Sequence, residues 1–333
     1  MDSRPTPALA DRHGRPKRKL RISLTDRCNF RCPYCMPEKP AWLPRERLLT
    51  RRELRRLLGL FVCELGITHL RLTGGEPLLR ADLGEIVAEA QEFKALGLQR
   101  VSLTTNGVLL GRRAAELKAA GLDDLNVSLD ALDPAAFAAL SGGRSHPLEV
   151  LDGIAAARAA GLPLKLNTVV MRGYNEDQVL PLVRHAYAER IPLRLIEFMP
   201  LDGGGRWNAQ RVVGEAEILA ALAPEFHAVP LPESDDPARH YLLNGCYQLG
   251  VISTVSRPFC KRCDRLRLTA EGELYTCLFS ARGHDLRTPL RSGASDAELL
   301  ARIRTAVWNK PAGYAQGGGG YVERPISMHG LGG

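Results

Sequence analysis

The sequence has no run of about 18 or more apolar residues, so no membrane-spanning helix is predicted. Its opening, MDSRPTPALADRHGRPKRK, has no apolar stretch of the kind that a secretory signal carries. A cytoplasmic location, with no membrane partner, is the expectation. The basic segment HGRPKRK lacks interleaved aromatics and matches no recognisable nucleic-acid module, which argues against a nucleic-acid partner. Residues 1–18 are predicted instead to form a mobile basic arm near a phosphate-binding mouth or a dimer contact. Lysine is also scarce. Of 45 basic residues only eight are lysine, which leaves 37 arginines and a net charge of +8. Arginine suits forked recognition of phosphate or carboxylate, but a total locates no site.

The 333 residues, 45% of them hydrophobic, can bury a core. From residue 19 to about 200, short β-rich runs alternate with helix-like stretches. Strands are predicted at 19–25, 67–73, 99–105, 124–129, 163–170 and 192–198, with helices at 50–65, 82–95, 112–120, 148–160 and 176–189. This order predicts a parallel sheet with right-handed crossovers. A sheet covered on both faces has nearly continuous apolar strands. Here Leu20, Ile22 and Leu24 alternate with Arg21, Ser23 and Thr25, and Leu125, Val127 and Leu129 with Asn126, Ser128 and Asp130. One strand face therefore packs on helices and the other borders a wet lumen. The predicted fold is α/β, an incomplete TIM-like (β/α)6 barrel over 19–202, followed by a smaller C-terminal region, 203–333, packed on it. The sixth strand fits less well, because Arg194 shares its parity with Ile196 and Phe198.

Six of eight cysteines fall into two groups, and neither group has a fourth member. Cys28, Cys32 and Cys35 have C-x3-C-x2-C spacing; Cys260, Cys263 and Cys277 have C-x2-C-x13-C spacing. A closed zinc site needs four ligands. Three thiolates on a four-iron cubane leave one iron open. A zinc ribbon completed by Cys246 or His284 is the alternative for the second group. Cys63 reads as a small buried hydrophobe.

The first group after the first strand, with TGGEP at 73–77 after the second, resembles the radical S-adenosylmethionine (SAM) superfamily. The resemblance implies that the open iron chelates SAM, which a single electron cleaves to a 5′-deoxyadenosyl radical. It also implies SAM contacts from Tyr34, Gly75, Glu76, Thr104, Ser128 and Met199. Glu76-Pro77 reads equally well as an ordinary helix start. With the second group and the terminal Gly332-Gly333, the chain from about residue 14 onward is similar to the GTP 3′,8-cyclases of molybdenum-cofactor biosynthesis. That likeness implies two [4Fe-4S] clusters, the second carried by the C-terminal region and receiving the purine of GTP. It further implies abstraction of the ribose 3′ hydrogen and attack of the carbon radical on purine C8.

Arg21, Arg71 and Lys165 fall on the lumen parity, Arg194 is expected to join them, and Arg265 and Arg267 alternate with Leu266 and Leu268. Buried cations cost on the order of several kcal/mol each unless paired, so an anionic ligand such as a triphosphate is predicted. The resemblance matches these six residues to GTP contacts. Arg21, Arg71, Gly332 and Gly333 are the expected catalytic set, with the tail threading back into the site. It also implies a homodimer, a flavodoxin or ferredoxin as electron donor, and delivery of product to cyclic pyranopterin monophosphate synthase. The competing readings are a peptide-modifying radical SAM enzyme with an auxiliary cluster and a zinc-stabilised nucleic-acid-binding protein.

Overall fold

A computed structural model gives the fold and describes residues 9–234, 236–313 and 327–332. The six predicted strands form as β1 (Lys19–Ser23), β2 (His69–Thr73), β3 (Arg100–Thr105), β4 (Asp124–Ser128), β5 (Leu164–Val170) and β6 (Leu193–Glu197). Between them run α1 (Arg51–Gly59), α2 (Leu83–Glu92), α3 (Leu110–Ala119), α4 (Pro134–Ser141), α5 (Pro147–Ala159) and α6 (Val179–Ala188). The start of α1 has a local cause. At α1 the Thr50 hydroxyl accepts from the Glu53 N–H while the Glu53 carboxylate accepts from the Thr50 N–H, a reciprocal cap. The helix predicted over 50–65 is α1 followed by a π-helical stretch, Leu60–Glu64.

The C-terminal region does not merely pack on the barrel; it extends the sheet at both ends. It contributes β7 (Ala228–Pro230), β8 (Arg239–Leu243), β9 (Tyr247–Ile252), β10 (Arg265–Leu268), β11 (Glu273–Tyr275) and β12 (His284–Asp285). The sheet order is β12-β11-β10-β1-β2-β3-β4-β5-β6-β9-β8-β7. From β10 to β9 every pairing is parallel, while β11 and β12 on one flank and β8 and β7 on the other are antiparallel. The barrel stays open.

The alternation places Leu20, Ile22, Leu70, Leu72, Leu125 and Val127 against the helices, all essentially buried. Arg21, Arg71 and Lys165 point into the lumen. On β6, Leu193 and Leu195 face the helices, and Arg194 and Ile196 both line the lumen. The apparent misfit was one apolar lumen residue.

The segment expected to be a mobile arm is packed from Leu9 onward. Leu9, Arg15 and Lys17 are buried, and both cations pair with buried Asp11. Asp11 supplies the counter-charge that the basic run lacks within itself.

Close backbone packing holds α5 to the turn before α3. A Cβ on Gly153 would lie 2.1 Å from the Gly107 carbonyl oxygen. Gly153→Ala should therefore cost about 1–3 kcal/mol of stability, read by denaturant unfolding.

Candidate active site

A cavity of about 450 Å³ runs along the barrel lumen. Lys19, His69 and Arg100 line it at the N-terminal ends of their strands; the loop after β1 lines it at the other end. That loop carries Cys28, Cys32 and Cys35, all free thiols facing the cavity. Burial pushes the Cys28 thiol up to about 12 and raises Cys32 and Cys35 as well. Such thiols become thiolates when a metal supplies the missing positive charge.

The loop is held by bare backbone. The Gly75 N–H donates to the Thr25 carbonyl at 2.7 Å and the Glu76 N–H to the Arg27 carbonyl at 2.8 Å. A Cβ on Gly75 would sit 2.4 Å from the Asp26 and Arg27 carbonyl oxygens, so only glycine permits this approach. Gly75, Tyr34, Thr104, Ser128 and Met199 all line the cavity. Glu76 does not. Its buried carboxylate accepts from the Leu78 N–H at 2.9 Å, the Thr105 hydroxyl at 2.8 Å and the Asn106 N–H at 2.7 Å. Burial moves it up to about 7 despite these donors. It braces the glycine turn against the end of β3.

Parallel register sets the cations side by side. Arg21 lies opposite Arg71 on one flank and Arg267 on the other, and Lys19 opposite Arg265. Among the described residues, Arg21, Arg71, Lys165, Arg265 and Arg267 make no ion pair. Arg71 Nε reaches only the Ser102 hydroxyl, at 3.3 Å, and the Arg265 guanidinium lies 4.7 Å from the Phe259 ring centroid. Arg194 departs from the expectation of an unbalanced set, because it pairs with Asp236. Burial lowers Arg71 and Arg267 to about 10, Arg21 well below its usual range, and Lys165 to about 8, with the neighbouring guanidiniums adding to the shifts. Arg267 Nε and Asn167 Oδ1 are buried without a partner. The Arg267 donor fits an anionic group, and the Asn167 oxygen fits a hydroxyl or N–H donor of the ligand.

Cys260, Cys263 and Cys277 are also free and half-buried. Cys263 precedes β10, and β10 runs parallel to β1, so this group stands at the opposite end of the lumen from the first. The cation row lies between the two groups. Cys246 does not join them; it precedes β9 and contacts the Tyr187 hydroxyl at 3.1 Å. Among the described residues no three His, Cys, Asp or Glu side chains are arranged to hold a single metal ion. A cluster needs no such convergence, since each thiolate takes its own iron. Both donor sets fit open [4Fe-4S] clusters.

The tail reaches the same place. In the turn Met328–Leu331 the His329 N–H donates to the Cys35 carbonyl at 3.2 Å, and Met328 lines the cavity. Gly332 has φ +82° and lies so close to β2 that a Cβ would meet Thr73 Cγ2 at 2.5 Å. Gly333 lies outside the described residues.

Sequence reasoning missed several lining residues. Asp130 accepts from the Tyr34 hydroxyl at 2.5 Å and from the Val169 N–H at 2.9 Å. Its position after Ser128 on the lumen parity was the available signal. Lys19, Arg100 and Asp236 also line the cavity, as do Phe137, Leu140 and Ser141 of the unpredicted α4.

Comparison with known proteins agrees with this geometry. Residues 22–186 match the Radical SAM superfamily, and 191–316 match the family described as Molybdenum Cofactor Synthesis C. The chain is 47% identical over 334 residues to the GTP 3′,8-cyclase of Mycobacterium marinum, covering 98% of this chain and 92% of that one. The chain belongs to the GTP 3′,8-cyclase family. A further family member, from Streptomyces coelicolor, is 44% identical, covering 98% of this chain and 96% of that one. Among solved structures, Streptococcus suis SuiB bound to precursor peptide SuiA superposes with a TM-score of 0.60 at 14% identity, covering 88% of this chain and 68% of that one. That likeness shows the fold alone.

Because Gly332 has no room for a side chain, Gly332→Ala should release the turn that precedes it. Hydrogen exchange at the His329 amide should speed up, with the iron content unchanged.

Proposed function

We infer that this member of the GTP 3′,8-cyclase family converts GTP to (8S)-3′,8-cyclo-7,8-dihydroguanosine 5′-triphosphate, the first step of molybdenum-cofactor biosynthesis. The observation that carries this reading at the level of the site is the row of unpaired lumen cations between two open thiol triads. In the assignment, Cys28, Cys32 and Cys35 hold one [4Fe-4S] cluster, and Cys260, Cys263 and Cys277 hold the other. When bound, the reduced first cluster and SAM supply the radical that removes the ribose 3′ hydrogen.

The chain's own residues place the reactants. Tyr34, Gly75, Thr104, Ser128 and Met199 contact SAM, while Glu76 acts at one remove by fixing the turn that presents Gly75. Arg21, Arg71, Arg265 and Arg267 fork onto the triphosphate, with charge-assisted bonds that offset their mutual repulsion. Lys165 and Arg194 complete the anion site. Gly332, against Thr73, brings the tail to the lumen, where it excludes water from the reacting atoms; Gly333 completes the proposed catalytic set. The enzyme works in the cytoplasm as a homodimer, takes electrons from flavodoxin or ferredoxin, and passes its product to cyclic pyranopterin monophosphate synthase. Arg15 and Lys17 of the basic run are internal and pair with Asp11, which leaves them turned away from any nucleic acid.

Anaerobic reconstitution with iron and sulfide tests this. The protein should hold about eight irons, four per cluster, and cleave SAM to 5′-deoxyadenosine only when GTP is present. Cleavage that ignores GTP and responds to a peptide would sink the assignment, as would bound zinc without iron.

Lys165 gives a pH signature. Its folded-state value, about 8, lies below the ordinary lysine value, so in the free enzyme it loses its proton as the pH rises through about 8. A charge-assisted hydrogen bond contributes about 1.5–3 kcal/mol, so the Kd for GTP should rise roughly tenfold or more as that proton is lost. Lys165→Arg should flatten the rise, read by equilibrium binding between pH 7 and 10.

A further inference from the structure

The second cysteine group is surrounded by buried charge that no role above uses. Lys17 is 0% exposed, Asp11 and Lys310 2% each, and Arg15 6%. Asp11 Oδ2 takes both Arg15 Nε at 2.7 Å and Lys17 Nζ at 2.8 Å. The remaining donors of these cations point at the cysteine loop and the strap beside it. Lys17 Nζ donates to the Cys263 carbonyl at 2.7 Å. The Arg15 guanidinium donates to the carbonyls of Cys260, Pro311 and Ala312 at 2.5–2.9 Å. Lys310, one residue before that strap, donates through Nζ to the Thr276 carbonyl and to Cys263 Sγ, the latter at 3.3 Å.

Three cations face one carboxylate here, a net of +2 in the interior. Among the described residues no acid pairs with Lys310, since the ion pairs of Asp11 are with Arg15 and Lys17. Carbonyl oxygens satisfy the donors but do not cancel the charge, and burying uncompensated charge costs several kcal/mol per ion. The group that Lys310 touches and that can become anionic is the Cys263 thiol. A thiolate there, as in a cluster ligand, compensates it.

We propose that Lys310, held in place by the Asp11–Arg15–Lys17 clamp, is the positioning residue of the second cluster: its ammonium hydrogen-bonds the Cys263 thiolate and stabilises added negative charge on the cluster. This rests on the assignment of Cys260, Cys263 and Cys277 as cluster ligands. A cation at that distance favours the reduced, more negative state, so removing it lowers the reduction potential.

The test uses the full chain, reconstituted anaerobically, in a background with Cys28, Cys32 and Cys35 all changed to alanine so that only the second cluster forms. That parent should hold about four irons. Lys310→Met should make one-electron reduction at least tenfold less favourable in an EPR-monitored titration, a fall of about 59 mV, and Lys310→Arg should recover most of it. An unchanged potential in Lys310→Met with the irons retained overturns the proposal. If Lys310→Met assembles no cluster, Lys310→Arg decides. A cluster restored by arginine supports the need for a cation, and loss in both variants overturns it. A parent without iron removes the two-cluster assignment itself, and with it this inference, before any Lys310 variant is compared.

Discussion

Three guanidiniums on adjacent strands, with no carboxylate among them, set the terms for the rest of the molecule. The register Arg267–Arg21–Arg71 spaces their backbones at about 4.8 Å, the ordinary separation of paired strands. Desolvation acts there first and repulsion from neighbouring guanidiniums adds to it, which is why all three lie below the usual arginine range. The barrel tolerates this arrangement because its helix-facing side is a continuous apolar core. The cost of the lumen charge is met by that packing. A phosphate chain fits the row, and an uncharged ligand leaves it unbalanced.

The two thiol triads are then set by strand direction. Cys28 follows β1 and Cys263 precedes β10, so a parallel pairing must send them to opposite ends of the lumen, with the cations between. Each end is fixed differently. At the first, glycine backbone approaches the cysteine loop, and Glu76 holds the turn from behind through three donors. At the second, side-chain cations do the holding, with Arg15 and Lys17 tied to Asp11 and to loop carbonyls. One triad therefore sits among raised thiols. In the other, although burial pushes Cys263 up, Lys310 and nearby arginines bring it down to about 6.

Much of this was legible in the residues. Strand alternation between Leu and polar residues exposed both the barrel and its wet lumen, because the side-chain period of a strand reports directly which faces are covered. The lumen parity of Arg21, Arg71 and Lys165 followed from the same count. α4 escaped because its apolar residues form no clear stripe, although Asp133-Pro134 marks its start and the Asp133 carboxylate caps it. The basic N-terminal run was misread because its partner, Asp11, lies within the segment but becomes relevant only when the chain folds back. Arg194 was placed correctly in the lumen, but Asp236, which neutralises it, comes from a distant loop.

The sequence by itself determined the chemistry: two incomplete cysteine triads, a glycine turn after the second strand, and an excess of arginine on one strand parity. These are local patterns, carried by spacing within a few residues. Only the tertiary structure decided which strands flank β1, that the C-terminal region extends the sheet at both ends, and that Lys310 stands on Cys263. Those facts depend on pairings between residues far apart in the chain, from 47 positions for Lys310 and Cys263 to the pairing of Lys19 with Arg265, and no local period encodes them.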